Sequence, residues 1–515
     1  MDFTKNSKAK RQILCPLIWA IISSSLFLIS LIIDYQHEAI KEHVRFRKGF
    51  LSRSAWEEPP DGSLRCYVFN VTNTEAFLNG TDKKLHLQQI GPIVYRIKIG
   101  NANITDNENE STLTFRKLRR KEFVFDEKNS PPGIMDQKIY VPNVVLLSIA
   151  AKIHDWFFLT RNLFNVYAKH EPIFVHHTVH EILWNYTTPM VDEIKAWWPV
   201  SVDNLGTLHN AFRDEKPEVY TVNIGMQHGM ENFFKVRSLN NLTVFEKQLD
   251  KIQLDPEVCP IHVDNAFENA LFPPYLKRED QLSIIAADSC RTLPLVYEHD
   301  VSKSGLNGYK FVIGKDSEAS CLKDSMGVPL PSGIFDVSSC RFDVPSAYSQ
   351  PHFFGSTYNY EEHFEGLSPN PVDHQTYVWI EPKTGVSFEV KYRFQQSIPV
   401  PQLSGFSEKI RRFNGMVVPI FWYEYDLDDL PSHSMFLLKL TAVYLPYVQK
   451  VTTIIFLLAT VVSLTTIICR IYGISPMEAL WFGQTELQQT ISEVPTNPRY
   501  YDDSKSFLPK NAIKM

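Results

Sequence analysis

Histidine is the most unevenly spread of the chemically versatile residues in this chain. Six of sixteen, His154, His170, His176, His177, His180 and His209, fall within the 76 residues Tyr140–Glu215, where an even spread would place two or three. His176 and His180 are four apart and His177 and His180 three apart, a spacing that a helix brings onto neighbouring faces. Zinc could use such a pair, but no third ligand at a suitable spacing and no companion cysteine accompanies it. The other chemistry open to imidazole is titration. The stretch holds five basic residues, Lys152, Arg161, Lys169, Lys195 and Arg213, against eight acidic ones, including Glu171 and Glu181. Its net charge is −3 with neutral histidines and +3 with all six protonated. Histidine ordinarily titrates near pH 6.5, so endosomal acidification would reverse the sign of this region.

Catalytic signatures are absent. Gly308–Lys315 reads GYKFVIGK, but five residues separate the glycines and Asp316 stands where a phosphate loop needs Ser or Thr. There is no G-x-S-x-G elbow, and His180-Glu181 is followed by Ile182, Leu183 and Trp184 rather than completing a zinc-protease motif. The expectation is a non-enzyme without metal or cofactor.

Cysteine and asparagine chemistry point to an oxidising, glycosylating compartment. Cys259, Cys290, Cys321 and Cys340 lie within 82 residues, as expected of disulfides, with three connectivities open. Cys66, in the apolar run Cys66–Phe69, reads as a buried free thiol. Asn70, Asn79, Asn103, Asn109, Asn185 and Asn241 each begin an N-x-[ST] triplet.

Two uncharged runs hold these residues on one side of a membrane. Leu14–Ile33 has twenty residues and Val451–Cys469 nineteen, each about the length that crosses ~30 Å of hydrocarbon. Tyr444, Tyr447 and Lys450 stand at the entry to the second, where aromatic rings and a snorkelling lysine belong. The first run is longer than a signal-peptide core and lacks a small-residue cleavage site, so it reads as an uncleaved anchor. All six sequons lie between the runs, which places both tails in the cytoplasm. The expected layout is a tail (1–12), a span (13–33), an extracellular or luminal domain (34–446), a second span (447–469) and a polar, disordered tail (470–515). Cys15 and Cys469, at the cytoplasmic ends of the spans, are placed for S-palmitoylation.

Within the large domain, Arg65–Val71, Ile93–Ile99, Thr112–Phe115, Tyr309–Ile313, Tyr377–Ile380 and Ser387–Phe394 are short β-branched and aromatic runs bounded by turn signals, which predicts an antiparallel β-rich body. Val144–Leu163, His176–Tyr186 and Val191–Trp198 have helical periodicity, predicting a helical insertion near 140–215. The whole chain, 515 residues at 44% hydrophobic, 21% charged and net charge −6, excludes wholesale disorder, collagen and a polytopic transporter. Nothing in the charge suggests a nucleic-acid partner.

Nine strings occur in order between the spans. They are Tyr67–Asn73, Gly91-Pro92 with Tyr95-Arg96, Glu181–Tyr186, Phe272–Tyr275, Cys290-Arg291, Pro351–Phe353, Gly366-Leu367-x-Pro369, Glu381–Gly385 and Val418–Trp422. Together they resemble the class B scavenger receptor family. The resemblance implies an α+β membrane protein: a large antiparallel β-barrel-like ectodomain, an apical helical bundle, two membrane anchors, and a tunnel that carries hydrophobic cargo to the bilayer. Implied partners are lipids (fatty acids, sterols, carotenoids or phospholipids), lipoprotein particles, and a possible protein ligand at the bundle. The pairs Cys259–Cys321 and Cys290–Cys340 are likewise implied. Lys169 and His170 fall where relatives carry apical lysines, and with Lys152, His176, His177 and His180 they make the candidate ligand-binding set. With one lysine and one histidine there, binding of anionic particles at neutral pH is not implied. The tail has no acidic dileucine or Y-x-x-Φ signal, so the plasma membrane is expected, with an endosomal or lysosomal membrane as the alternative.

Overall fold

A computed structural model describes residues 3–59, 61–119, 123–191, 204–211, 218–246, 261–264, 266–314, 330–341, 344–427 and 430–472. The chain forms two units, one drawn from its ends up to Tyr35 and from Tyr447 onward, the other from Gln36–Pro446.

In the first unit, helix Phe3–Ile32 and helix Leu445–Tyr472 contain the apolar runs, and each is long and apolar enough to cross a membrane. Hydrocarbon supplies no hydrogen bonds, so a spanning segment satisfies its backbone internally as a helix. Apolar helices pair through small and polar groups. Here Gln449 donates through Nε2 to the carbonyls of Ser30 (3.2 Å) and Ile33 (2.9 Å) and accepts from the Tyr35 N–H (3.1 Å). Thr460 and Ser23 join hydroxyls at 3.1 Å. Cys15 is exposed, whereas Cys469 is buried at 5% exposure.

The second unit is built on a twelve-stranded sheet. Its main path runs Leu282–Ala286, Arg291–Lys303, Leu306–Ile313, Tyr377–Glu381, Val386–Pro399, Val417–Leu427, Gly62–Val71, Leu85–Ile97 and Phe364–Glu365. Every pair is antiparallel except the last, where Phe364 and Glu365 run parallel to Leu85 and His86. No pairing among the described residues joins the path's two ends. The mixed helix-and-sheet class therefore holds, while closure into a barrel does not follow from the pairing.

The strands outrun the apolar patches that signal them. The run at Ile93–Ile99 belongs to the thirteen-residue strand Leu85–Ile97, which continues through Gly91-Pro92. A Cβ on Gly91 would lie 2.6 Å from the Tyr67 ring and 2.8 Å from the Cys66 carbonyl, so only glycine permits this approach. The neighbouring register shifts there, between Cys66 and Val68, as a bulge does. Cys66 itself is a buried free thiol opposite Ile93 and Tyr423.

A four-stranded sheet, Ile99–Asn107, Thr112–Arg119, Val219–Asn223 and Val236–Leu239, adjoins an aromatic core. In it Phe46, Trp56, Phe115, Phe233 and Phe234 pack edge-to-face at 4.7–5.9 Å. Cys290 and Cys340 are joined by a disulfide at its margin. Cys259 and Cys321 lie outside the described residues.

The region near 140–215 departs from a plain helical bundle. Val144–Leu163 is not one helix but two, Val144–Lys152 and Phe158–Ala168, parted by a turn in which His154 Nδ1 meets the Ala151 carbonyl at 2.8 Å. The segment read as a helix from His176 opens as strand Phe174–Thr178, paired with Lys138–Pro142, and becomes helical only at Val179–Trp184. The switch has a local cause. Thr178 and Glu181 form a capping box: the Thr178 hydroxyl accepts from the Glu181 N–H at 3.2 Å, and Glu181 Oε2 accepts from the Thr178 N–H at 2.8 Å. The capping box starts the helix after the histidine pair. A further short helix is Thr207–Ala211; of Val191–Trp198, all but Val191 lies outside the described residues.

Candidate ligand-binding site

The candidate residues of the helical region do not converge. Successive strand residues face opposite ways, so His176 and His177 diverge. His176 is exposed and stacks on Tyr140 with ring centroids 4.2 Å apart, while His177 turns toward Glu181 (Nδ1–Oε2 3.5 Å) and the Tyr186 ring. His180 and His209 are exposed. Lys169 and His170 lie exposed just after helix Phe158–Ala168, and Lys152 is half-buried in the last turn of the helix before it. The region's more conspicuous feature is apolar: Trp156, Phe157, Phe158, Leu159, Val166 and Tyr167 all face outward. The sequons differ among themselves. Asn79, Asn103, Asn109, Asn185 and Asn241 are exposed, whereas half-buried Asn70 spends its amide on Gln88 (3.2 Å) and the Tyr140 N–H (2.9 Å).

Convergence occurs elsewhere. A cavity of about 670 Å³ lies inside the Gln36–Pro446 unit, within the size range of small-molecule sites. Its lining is largely apolar. Strand Val386–Pro399 contributes Phe388, Val390, Tyr392 and Phe394, alternate residues that share one face. Ile284, Ile285 and Leu293 come from the far end of the sheet, Leu271 from the segment before it, and Leu437 and Leu438 from helix Ser432–Lys439. The segment around Leu271 is laid along the strand by a bridge from Leu271 to Val386 and by the Ser387 hydroxyl donating to the Ala270 carbonyl at 2.9 Å.

A few polar groups interrupt this wall. Glu268, 3% exposed, forms an ion pair with Lys117 through Oε1, and its Oε2 has no hydrogen-bond partner among the described residues. The same is true of Tyr392 Oη, Trp56 Nε1, His43 Nε2 and Asn269 Oδ1. Burial pushes the His43 imidazole down to about 4, so it is neutral throughout the ordinary range. Burial also pushes the Tyr392 hydroxyl up, and the Glu268 charge acts in the same direction, so Tyr392 stays a hydrogen-bond donor. The arrangement supplies an apolar chamber with a few buried hydrogen-bonding groups in its wall.

The sequence contained one legible sign of this wall, the period-two run at Ser387–Phe394. Its other members, from Ala39 to Thr441, are assembled only by folding.

Two terminal helices of spanning length fit a two-pass membrane protein, and its sheet-based unit carries a largely apolar cavity. The model of the CD36 family matches residues 14–471, and the chain belongs to that family. It is similar to scavenger receptor class B member 1 of Bos taurus, with 26% identity over 422 residues covering 79% of this chain and 78% of the relative. It is also similar to the Rattus norvegicus protein of the same name, with 27% identity over 400 residues covering 75% of each. Lysosome membrane protein 2 of Homo sapiens is 25% identical over 394 residues, covering 75% of this chain and 79% of that one.

Proposed function

We propose that this protein is a scavenger receptor that captures lipids or lipid-bearing particles and passes hydrophobic cargo through its folded domain toward the membrane. The observation that carries the reading is the apolar cavity of about 670 Å³. Each methylene buried there gains about 0.8 kcal/mol, so a long hydrocarbon chain partitions into it from water. Leu437, Leu438 and Thr441 belong to the wall and lie on the stretch that continues in sequence into the second span, which suits a delivery route. A barrel-like curl of the large sheet around the chamber belongs to the same proposal. So does the layout, with residues 34–446 outside the cell and both tails in the cytoplasm at the plasma membrane; a lysosomal membrane is the alternative that one relative's name favours.

The test is to fill the chamber. Ala270→Trp, and separately Ala287→Trp, should cut cellular uptake of a fluorescent sterol at least fivefold while surface staining stays constant. Unchanged uptake at full surface expression in both variants overturns the cavity route.

A second reading has its own support in the outward-facing aromatics Trp156, Phe157, Phe158 and Tyr167. An apolar surface of this kind fits a protein partner whose grip varies with pH through the neighbouring histidines. Pull-down with the full chain at pH 7.4 and 5.5 decides it, and identical partners and affinities at both pH values count against it.

A further inference from the structure

Two wall elements of the chamber are tied to each other by one side chain. Helix Tyr35–Arg45 contributes Ala39 and His43 to the lining, and helix Ser432–Lys439 with the turn after it contributes Leu437, Leu438 and Thr441. Gln36 stands three residues before Ala39 and seven before His43, so it shares the helix face that lines the chamber. Its Nε2 donates to the carbonyl of Thr441 at 3.0 Å and to that of Ala442 at 3.1 Å, two acceptors for the two hydrogens of one amide.

Those carbonyls need an outside donor for a reason present in the sequence. Leu440–Tyr444 is a π turn, in which the Leu445 N–H reaches back five residues to the Leu440 carbonyl. In that register the Thr441 carbonyl is due the N–H of residue 446, and in α-helical register the Ala442 carbonyl is due the same N–H. Residue 446 is proline and has none to give. Carbonyls deprived of a partner are costly away from water, and the Gln36 amide replaces what Pro446 lacks. A helix that relies on a side chain in place of an internal hydrogen bond bends most easily at that point. The seam between the two wall elements is therefore closed by contacts that can be exchanged without unfolding either helix.

Resting on the cavity reading above, we infer that the clasp of Gln36 on Thr441 and Ala442 is the gate of the chamber. Closed, it holds the seam between the two wall helices; open, it lets hydrophobic cargo cross that seam. Gln36 is a positioning residue in this scheme, and it sets the rate of passage rather than the affinity for cargo.

The experiment uses the full chain in nanodiscs with dehydroergosterol, a fluorescent sterol, measuring rates by stopped flow and affinity by titration. Gln36→Met keeps the length of the side chain and removes both donors. It should speed association and release alike by about fivefold, with the dissociation constant held within about twofold. Pro446→Ala supplies the missing N–H, lets the helix satisfy its own carbonyls and should act in the same direction. Because both changes break one clasp, the double variant should exchange no faster than the faster single variant. Unfolding midpoints report whether each variant keeps its fold. Unchanged rates in Gln36→Met, with sterol bound as tightly as before, overturn the gate and leave the cavity reading intact. Weakened binding with an unchanged association rate also overturns it, because Gln36 would then belong to the wall. Accelerations that multiply in the double variant overturn it as well. A wild-type chain that binds no sterol overturns the gate and the cavity reading together.

Discussion

The helical region between Val144 and Ala211 and the sheet body opposite it in character both gather ionisable side chains, but they hold them differently. In the helical region His170, His176, His180 and His209 are exposed. Packed beside the sheet, in the short helical turns Pro351–Phe353 and Pro371–His374, His352 and His374 stack with centroids 4.2 Å apart, both 4% exposed. His352 Nδ1 accepts from the Ser368 N–H at 2.9 Å and His374 Nδ1 from the Asn370 N–H at 3.0 Å, so each ring is held neutral. Nearby in the sheet, Glu424 accepts from Arg393 Nε at 2.6 Å and from Arg65 at 2.8 Å, with Lys391 at 3.5 Å. Exposed groups change protonation at little cost to the fold. For buried groups the protonation state is part of the fold. Histidine density along the chain therefore marks the wrong place to look for acid sensitivity of the structure.

The largest effect expected from this difference is at Arg393. The residue is 5% exposed, and its guanidinium also donates to the Gln375 carbonyl at 2.8 Å. Arg393→Met leaves the Glu424 carboxylate buried with its best partner gone and should cost about 3–5 kcal/mol in chemical denaturation. Adding Glu424→Leu should recover a large part of that loss. If the single variant unfolds at the wild-type denaturant concentration, the contrast between sheet and helical region fails at its strongest point.

The second effect is the pH dependence of stability. Burial pushes His352 down to about 3, with the neighbouring His374 adding to it, and burial pushes His374 down to about 4. An unfolded histidine titrates near pH 6.5. As pH falls from 6.5 toward 4, the unfolded chain takes up protons that the folded chain refuses, so stability is full above pH 6.5 and declines below it. The loss between pH 7.4 and 5.0 should be on the order of 2 kcal/mol once solvent screening is allowed for. His352→Gln with His374→Gln should lower stability at pH 7.4 yet flatten the decline, and a thermal melt series across that range reads both. A slope unchanged in the double variant would place the acid sensitivity elsewhere.

These contrasts explain what was legible beforehand. The spans were legible because nineteen or twenty uncharged residues leave few alternatives, and the strands were legible wherever β-branched and aromatic residues clustered. The strand at Leu85–Ile97 was read short because Gly91-Pro92 resembles a stop, and only the close Tyr67 contact shows why glycine stays in the ladder. The histidine spacing at 176–180 suggested a helix because three- and four-residue spacing also fits five residues that change from strand to helix. The T-x-x-E spacing at Thr178–Glu181 went unused, and it is the capping box there that locates the change. The chamber was not legible, since Glu42, Glu268, Tyr392 and Leu437 share nothing but a destination. His352 was noted only as part of the string Pro351–Phe353, and His374 not at all, because burial rather than spacing gives them their behaviour.

A third, smaller effect probes the helical region's own framework. Thr178→Ala removes the hydroxyl that caps helix Val179–Trp184 and should cost about 1 kcal/mol. Glu181 loses a donor in the same variant. Its carboxyl is held below the usual range by the Thr178 backbone and hydroxyl hydrogen bonds, so part of its stabilising contribution, present above the ordinary carboxylate pKa, goes with the cap.

The smallest effect is the most direct check of the comparison. His176→Gln, His180→Gln and His209→Gln combined replace three exposed rings, of which His176 stacks on Tyr140. Exposed substitutions usually stay within about 0.5 kcal/mol, so the triple variant should melt within a degree or two of wild type at pH 7.4. Its decline in stability toward pH 5.0 should run parallel to that of the unmodified chain, because the buried rings of His43, His352 and His374 take up their protons only on unfolding. A flattened decline in this variant, with His352 and His374 intact, would mean that the exposed histidines are energetically coupled to the fold despite their exposure, and the two regions would have to exchange roles.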